Sequence, residues 1–347
     1  MLVVRLAREA DLEALFELAA SSYPPLTNLP AWREGIATRI NESLAAVRRD
    51  IASPGNEAYM FVLEDRVSQR VVGTATLRAH AGQGHAYYTY RRETLIHASP
   101  GLGLRREVDV LSFSHEISSA SQLCALALAP DYADEKAATS LLRQARLVFM
   151  GHHPERFSDW CAVAYAGVSD AQGVSPFWES VGRHFFGRDF NEVNDLAGRH
   201  AKSFIAEMMP QWPLYEELLG DQARAVIGQP HPLHQGAFND MVQEGFEASR
   251  HIDIFDAGPL LTAPVTQLKT LKRCQPATLV AGAPRQGERR LLVHPGLEQF
   301  CAVYGECDEP AAGGIRIDAV ARAALAASDG SRLLEAPVAS TDTGGLA

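Results

Sequence analysis

A histidine clamped between two prolines, Pro230-His231-Pro232, is the first place where residue type and setting suggest chemistry. Imidazole titrates near neutrality, so it can take or give a proton under ordinary conditions. Proline on each side restricts the backbone and would hold the ring without a helix or strand. On these residues alone, a histidine in a stiff surface turn is the plainer reading. The other polar candidates offer less. His152 and His153 are adjacent and would point apart, with no third ligand at a metal-site spacing, so no metal centre is expected. His97, His115 and Asp253 read most simply as satisfied, buried polar groups. Arg91 and Arg92 could grip a carboxylate, and Glu64 or Asp256 a guanidinium, but a solvated surface accounts for them more simply. The five cysteines, Cys124, Cys161, Cys274, Cys301 and Cys307, include no CxxC pair and are expected as buried free thiols.

The elements that must position these residues follow from periodicity. Leu2 to Leu6 is a strand, and Leu12, Leu15, Phe16 and Ala19 fall on one helical face behind it. The three prolines of Ser21 to Pro30 force a loop before a helix around Glu34 to Arg48. Tyr59 to Leu63 and Val71 to Leu77 flank a polar turn and predict an antiparallel hairpin. Leu123 to Leu128 (LCALAL) is a buried strand feeding a helix marked by Ala138, Leu141, Leu142, Ala145 and Phe149. Cys161 to Tyr165 reads as a further strand, Ser175 to Phe186 as a helix capped by Ser175, and Leu233 to Glu244 as a helix stopped by Gly245. Phe204 to Met209 and His251 to Phe255 complete the strand candidates of this region.

The expected class is therefore α/β, a mixed sheet flanked by helices, followed by a small β-rich, barrel-like C-terminal domain. The boundaries are 1–258, 259–337 and a mobile tail at 338–347. A formal charge of −10 without a basic cluster argues against nucleic acid and membrane surfaces as partners. No leader pattern opens the sequence and no stretch reaches the ~18 apolar residues of a membrane span, so a cytoplasmic protein is expected.

Seven segments in one order resemble the arginine N-succinyltransferase family, within the GNAT (GCN5-related N-acetyltransferase) fold. They are LTNLP from Leu26, FVLED from Phe61, TLIHAS from Thr94, SPFW from Ser175, FIAEMMP from Phe204, IGQPHP from Ile227 and HIDIFDAGP from His251. HPERF from His153 is similar to the alpha-subunit branch of the two-subunit form. The resemblance implies an acyltransferase of arginine catabolism that takes succinyl-CoA as co-substrate, L-arginine or L-ornithine as acceptor and a homologous beta subunit as partner in an oligomer. It further implies that His231 is the catalytic proton donor and that the main chain at Leu126 contacts succinyl-CoA.

One stretch departs from the fold's usual pattern. GNAT-like turns cradle pyrophosphate on glycine-rich backbone at a helix start. Here Asp131 to Ser140 reads DYADEKAATS, with Asp134, Ala137 and Thr139 at the expected Arg and Gly positions and only Lys136 and Arg143 to offset the acids. Two readings stay open: a working transferase, and a catalytically silent or regulatory alpha subunit.

Overall fold

The computed structural model describes residues 1–338 apart from 24, 83, 200–202, 286 and 309–313, so all but the first residue of the expected mobile tail lies outside the described residues. In chain order the first elements are β1 (Leu2–Leu6), α1 (Leu12–Ser21), α2 (Arg33–Arg48), β2 (Ala58–Asp65), β3 (Arg70–Arg78), β4 (Thr89–Ser99) and β5 (Leu104–Ser114). Then come β6 (Ser121–Leu128), α3 (Lys136–His152), β7 (Trp160–Ala164), α4 (Pro176–Ser180), α5 (Gly182–Phe186), α6 (Phe190–Arg199), α7 (Ser203–Met208), β8 (Leu214–Tyr215) and α8 (Asp221–Val226). The last are α9 (Gln235–Glu244), β9 (Glu247–Asp253), β10 (Pro259–Pro264), α10 (Lys269–Arg273), β11 (Gln275–Thr278), β12 (Glu288–His294), β13 (Cys301–Cys307), α11 (Ala319–Ala324) and β14 (Arg332–Pro337).

The chain divides into two compact units. One comprises Met1–Arg78, Cys124–Phe157 and the chain from Val265 onward; the other comprises Ala79–Leu123 and Ser158–Pro264. The sequence boundary at 258/259 thus falls inside the second unit, and β6 carries the chain from one unit into the other.

In the first unit the strands run in the order β11, β14, β12, β13, β1, β2, β3, all antiparallel. The β-rich region after residue 264 extends this sheet because β13 pairs with β1, Val303 opposite Val3. Alternation along β2 separates two cores. Phe61 stacks edge-on against Phe149 of α3 and against Phe300, while Met60 and Val62 point into a cluster with Leu15, Leu29, Ile36 and Ile40 of α1, α2 and the loop between them. Each large side chain so buried contributes roughly 1.5–3 kcal/mol. The buried Arg5 is held by Asp11 through both oxygens (2.8 and 3.0 Å) and by Glu64 at 2.6 Å, which satisfies its charge.

In the second unit the first residues of β6 pair in parallel with β7, Ser121 opposite Cys161, and the order continues β10, β9, β4, β5, β8. Helices α4 to α8 surround a core of Tyr90, Phe177, Trp178, Val193, Ile205 and Phe255. Ser175 caps α4 by accepting from the Trp178 amide, as its sequence position predicts. Two departures stand out. The FIAEMMP segment, expected as a strand, is helix α7: Ile205 and Met209 bury four residues apart while Met208 is exposed, a helical rather than an alternating pattern. The paired strands β4 and β5 had no counterpart in the sequence reading.

Candidate functional site

His231 lies in the second unit between α8 and α9. Pro230 bridges Gly167, and the His231 amide donates to the Ala166 carbonyl at 2.8 Å, so the loop is stitched to the chain leaving β7. Pro232 to His234 then make one 3-10 turn into α9, and the His231 ring caps it: the Leu233 amide donates to Nδ1 at 3.3 Å. The residue is only 5 % exposed. Burial holds its pKa below the ordinary histidine value, and a hydrogen bond to the Ser169 backbone works the other way. The ring is therefore neutral near pH 7. The Leu233 contact is long, so it orients the ring without tying up the Nδ1 lone pair strongly. An imidazole held this way can accept a proton from an ammonium or pass one to a thiolate.

Beneath this loop the chain is packed backbone to backbone. A Cβ on Gly258 would fall on the Tyr165 carbonyl oxygen, and one on Gly167 would fall on the Asp256 carbonyl oxygen, so glycine alone fits at both positions. The Gly228 amide donates to Ala257, itself at φ +56°. Asp256 is buried and accepts from the Gly258 amide at 2.8 Å, while Asp253 accepts from the Phe255 and Asp256 amides at 2.8 and 3.3 Å. Burial first, and the neighbouring Asp253 charge second, hold the Asp256 carboxyl well above the usual carboxylate range. Asp256 thus carries a proton and joins Asp253 as a hydrogen-bonded pair rather than facing a substrate guanidinium.

Leu126 belongs to the first unit. The parallel ladder of β6 ends at Leu123, and Ala125 takes φ +51°, a left-handed conformation unusual in a strand, so the backbone at Leu126 follows a bulge-like irregularity. Its side chain is half-buried. Helix α3, which follows, starts at Lys136 with Glu135 in the capping position and no side-chain cap; Asp134, Glu135 and Lys136 are exposed. Arg143 is buried and donates to Ser140 at 3.1 Å.

The model of the family described as arginine N-succinyltransferase beta subunit matches residues 2–270. The chain belongs to the arginine N-succinyltransferase family. It is 37% identical over 332 residues to arginine N-succinyltransferase subunit alpha of Pseudomonas aeruginosa, covering 95% of this chain and 98% of that one. It is 34% identical over 345 residues to subunit beta of the same organism, covering 99% and 100%. The solved structure of arginine/ornithine succinyltransferase subunit AI from Pseudomonas aeruginosa superposes with a TM-score of 0.90 at 34% identity, over 98% of this chain and 99% of that one. The mixed α/β class read from the sequence is thereby established, and the chain is one of an acyltransferase family.

For this arginine N-succinyltransferase relative, the remaining polar candidates are placed by their partners. Arg92 is gripped by both oxygens of Glu216 (2.7 and 2.8 Å), and Arg91 pairs with Glu93 and Glu116, so these guanidinium groups are already matched to acids of the chain. Glu64 does face a guanidinium, that of Arg5. His97 and His115 are exposed, contrary to their expected burial, because His97 sits on the far part of β4 and His115 on a turn. His153 bonds to the Pro295 carbonyl at 3.0 Å, and among the described residues no group of His, Cys, Asp and Glu is arranged to hold a metal. The cysteines are free, and burial raises the thiols of Cys274, Cys301 and Cys307 to about 11, 11 and 12, which keeps them protonated. No helix among the described residues is long and apolar enough to cross a membrane.

One residue passed unnoticed in the sequence. His234 lies three positions after His231, its ring centroid 5.9 Å from that ring and 6.4 Å from Tyr165. Its Nδ1 is buried with no hydrogen-bond partner among the described residues, and burial, with the His231 ring second, lowers its pKa to about 4. The only signal available was the His-x-x-His spacing at the start of a helix.

Proposed function

We propose that this chain transfers a succinyl group from succinyl-CoA to the α-amine of L-arginine or L-ornithine, as an alpha-type subunit working with a homologous beta subunit in the cytoplasmic catabolism of arginine. Relatives bearing the succinyltransferase name along nearly the whole chain support the reaction; the single observation that carries the mechanism is the buried, neutral His231 fixed to the Ala166 carbonyl. An α-ammonium must lose a proton before its nitrogen attacks the thioester carbon. As the tetrahedral intermediate collapses the C–S bond breaks, and the CoA thiolate takes a proton. His231 serves these proton steps. The backbone at Leu126, which follows the left-handed Ala125, is the proposed main-chain contact for succinyl-CoA.

A second reading rests on α3. Asp134 and Glu135 crowd the helix start where CoA phosphates would otherwise be received, which favours a regulatory subunit. CoA release from succinyl-CoA, measured with arginine and with ornithine for the purified chain and for the chain with its beta-type partner, separates the two. Turnover by the chain alone is expected and would sink the regulatory reading; turnover only when the beta-type partner is present would sink the transferase reading. Replacing His231 by Ala should lower kcat by roughly 10²–10⁴-fold with succinyl-CoA affinity little changed. Unaltered turnover removes His231 from the reaction.

A further inference from the structure

His234 takes no part in the proton steps assigned to His231, yet it stands beside that residue. Pro232 to His234 form a single 3-10 turn, in which side chains three positions apart eclipse, and the two rings lie with centroids 5.9 Å apart. The turn is fixed by the His234 amide, which donates to the His231 carbonyl at 2.8 Å. The two nitrogens of His234 differ in their settings. Nδ1 is buried with no hydrogen-bond partner among the described residues, whereas Nε2 is neither buried nor engaged by any of them. A buried N–H without an acceptor is rarer than a buried acceptor without a donor, so the ring proton belongs on Nε2 and makes it a donor open to a ligand. With its pKa held to about 4 by burial and by the His231 ring, His234 keeps this neutral form above about pH 5.

The surroundings favour an anion. Helix α9 begins with no side-chain cap and no acidic residue in its first turn, so no side chain there offsets the positive end of the helix. A Cβ at Gly236 would meet nothing within 4 Å, so the space beside that turn is open. We infer that His234 is a binding residue for the acceptor, its Nε2–H donating to the α-carboxylate of the amino acid whose α-amine His231 serves. In an α-amino acid the amine nitrogen lies roughly 3 Å from the carboxylate oxygens, and a hydrogen bond spans about 2.9 Å, so two neighbouring imidazoles can engage one molecule by both groups. A neutral donor suits the task, because a second imidazolium would repel the α-ammonium that must approach His231. The contact recognises the head that arginine and ornithine share rather than the far end where they differ. It rests on the transferase reading for the identity of the acceptor.

The test compares L-arginine with L-argininamide, in which a neutral amide replaces the carboxylate, for the purified chain and for its complex with the beta-type partner. Calorimetric binding and CoA release from succinyl-CoA are both measured. H234F should weaken arginine binding and lower kcat/KM by about tenfold or more, while argininamide changes by less than about threefold. H234Q, whose amide nitrogen falls near the Nε2 position, should recover most of the loss; H234N, whose amide falls near Nδ1, should not. The inference is overturned by any of five results: no arginine binding in either preparation, arginine bound alike by the natural chain and H234F, equal losses for arginine and argininamide, equal recovery by Gln and Asn, or a loss expressed in succinyl-CoA affinity instead. Arginine binding that H234F weakens, without CoA release from the natural protein, keeps this contact and removes only the transferase reading. Should H234F fail to fold, H234Q against H234N decides the same point.

Discussion

The two strongly shifted groups near His231 pull stability in opposite directions as pH changes. His234 keeps its ring neutral in the fold down to about pH 4, whereas an unfolded histidine takes a proton near 6.5. Between those values the unfolded chain binds the extra proton, so stability falls as pH drops, by on the order of 3 kcal/mol at the low end. Replacing His234 by Phe removes the unpartnered Nδ1 and the titration together; its urea midpoint should exceed that of the natural chain by more at pH 5 than at pH 7.5. Asp256 has the opposite sign. Its folded pKa lies well above that of an unfolded carboxyl, so the unfolded chain releases the proton first and stability falls as pH rises above about 4. Asn at this position keeps the oxygen that accepts from Gly258 and presents an amide to Asp253, so D256N should flatten the alkaline side of the stability profile. A D256N profile that still declines from pH 6 to 8 assigns that decline to another group.

At the scale of elements, the His231 loop is precise because three backbone segments meet without side chains between them. Gly258→Ala drives a methyl group onto the Tyr165 carbonyl, and the cost is about 1–3 kcal/mol by urea unfolding. Because Ala166 anchors His231, the same change should lower kcat more than it raises the KM for succinyl-CoA. None of this close packing was readable in advance: Gly167 and Gly258 are 91 positions apart, and their fit is a long-range fact. What was readable had local causes. The helix over α3 and the Ser175 cap each declare themselves within one or two turns of sequence. FIAEMM misled because six apolar-rich residues suit a short strand and a short helix equally, and only the burial of Ile205 and Met209 in the Trp178 core settles it. The β4–β5 hairpin escaped notice because its far half buries neither face, leaving no alternation to see. His231 itself stood out by its prolines, but its proton chemistry came from the family resemblance, since buried and surface histidines look alike in sequence.

At the scale of the whole molecule, the question is whether the β-rich region after residue 258 is a domain of its own. An independent domain predicts that a chain ending at Pro264 keeps its fold and its melting temperature. The pairings predict otherwise. Such a chain retains the whole of the second unit but strips β13 from β1, opening the edge at Val3 to Arg5. It also removes Phe300 from the rings of Phe61 and Phe149, and Tyr304, whose hydroxyl bonds to Gln144 at 2.8 Å, from α3. Val3 loses a cluster that includes Leu292, Val303 and Leu333. Several large side chains at roughly 1.5–3 kcal/mol each amount to most of the stability of an ordinary domain, and the freed edge is a template for aggregation. The shortened chain should therefore keep far-ultraviolet ellipticity while losing near-ultraviolet signal, bind a hydrophobic dye and precipitate on warming. A sharp, reversible melt at the temperature of the full chain would instead restore the boundary at 258/259, with the strands after it as a separate body resting on β1.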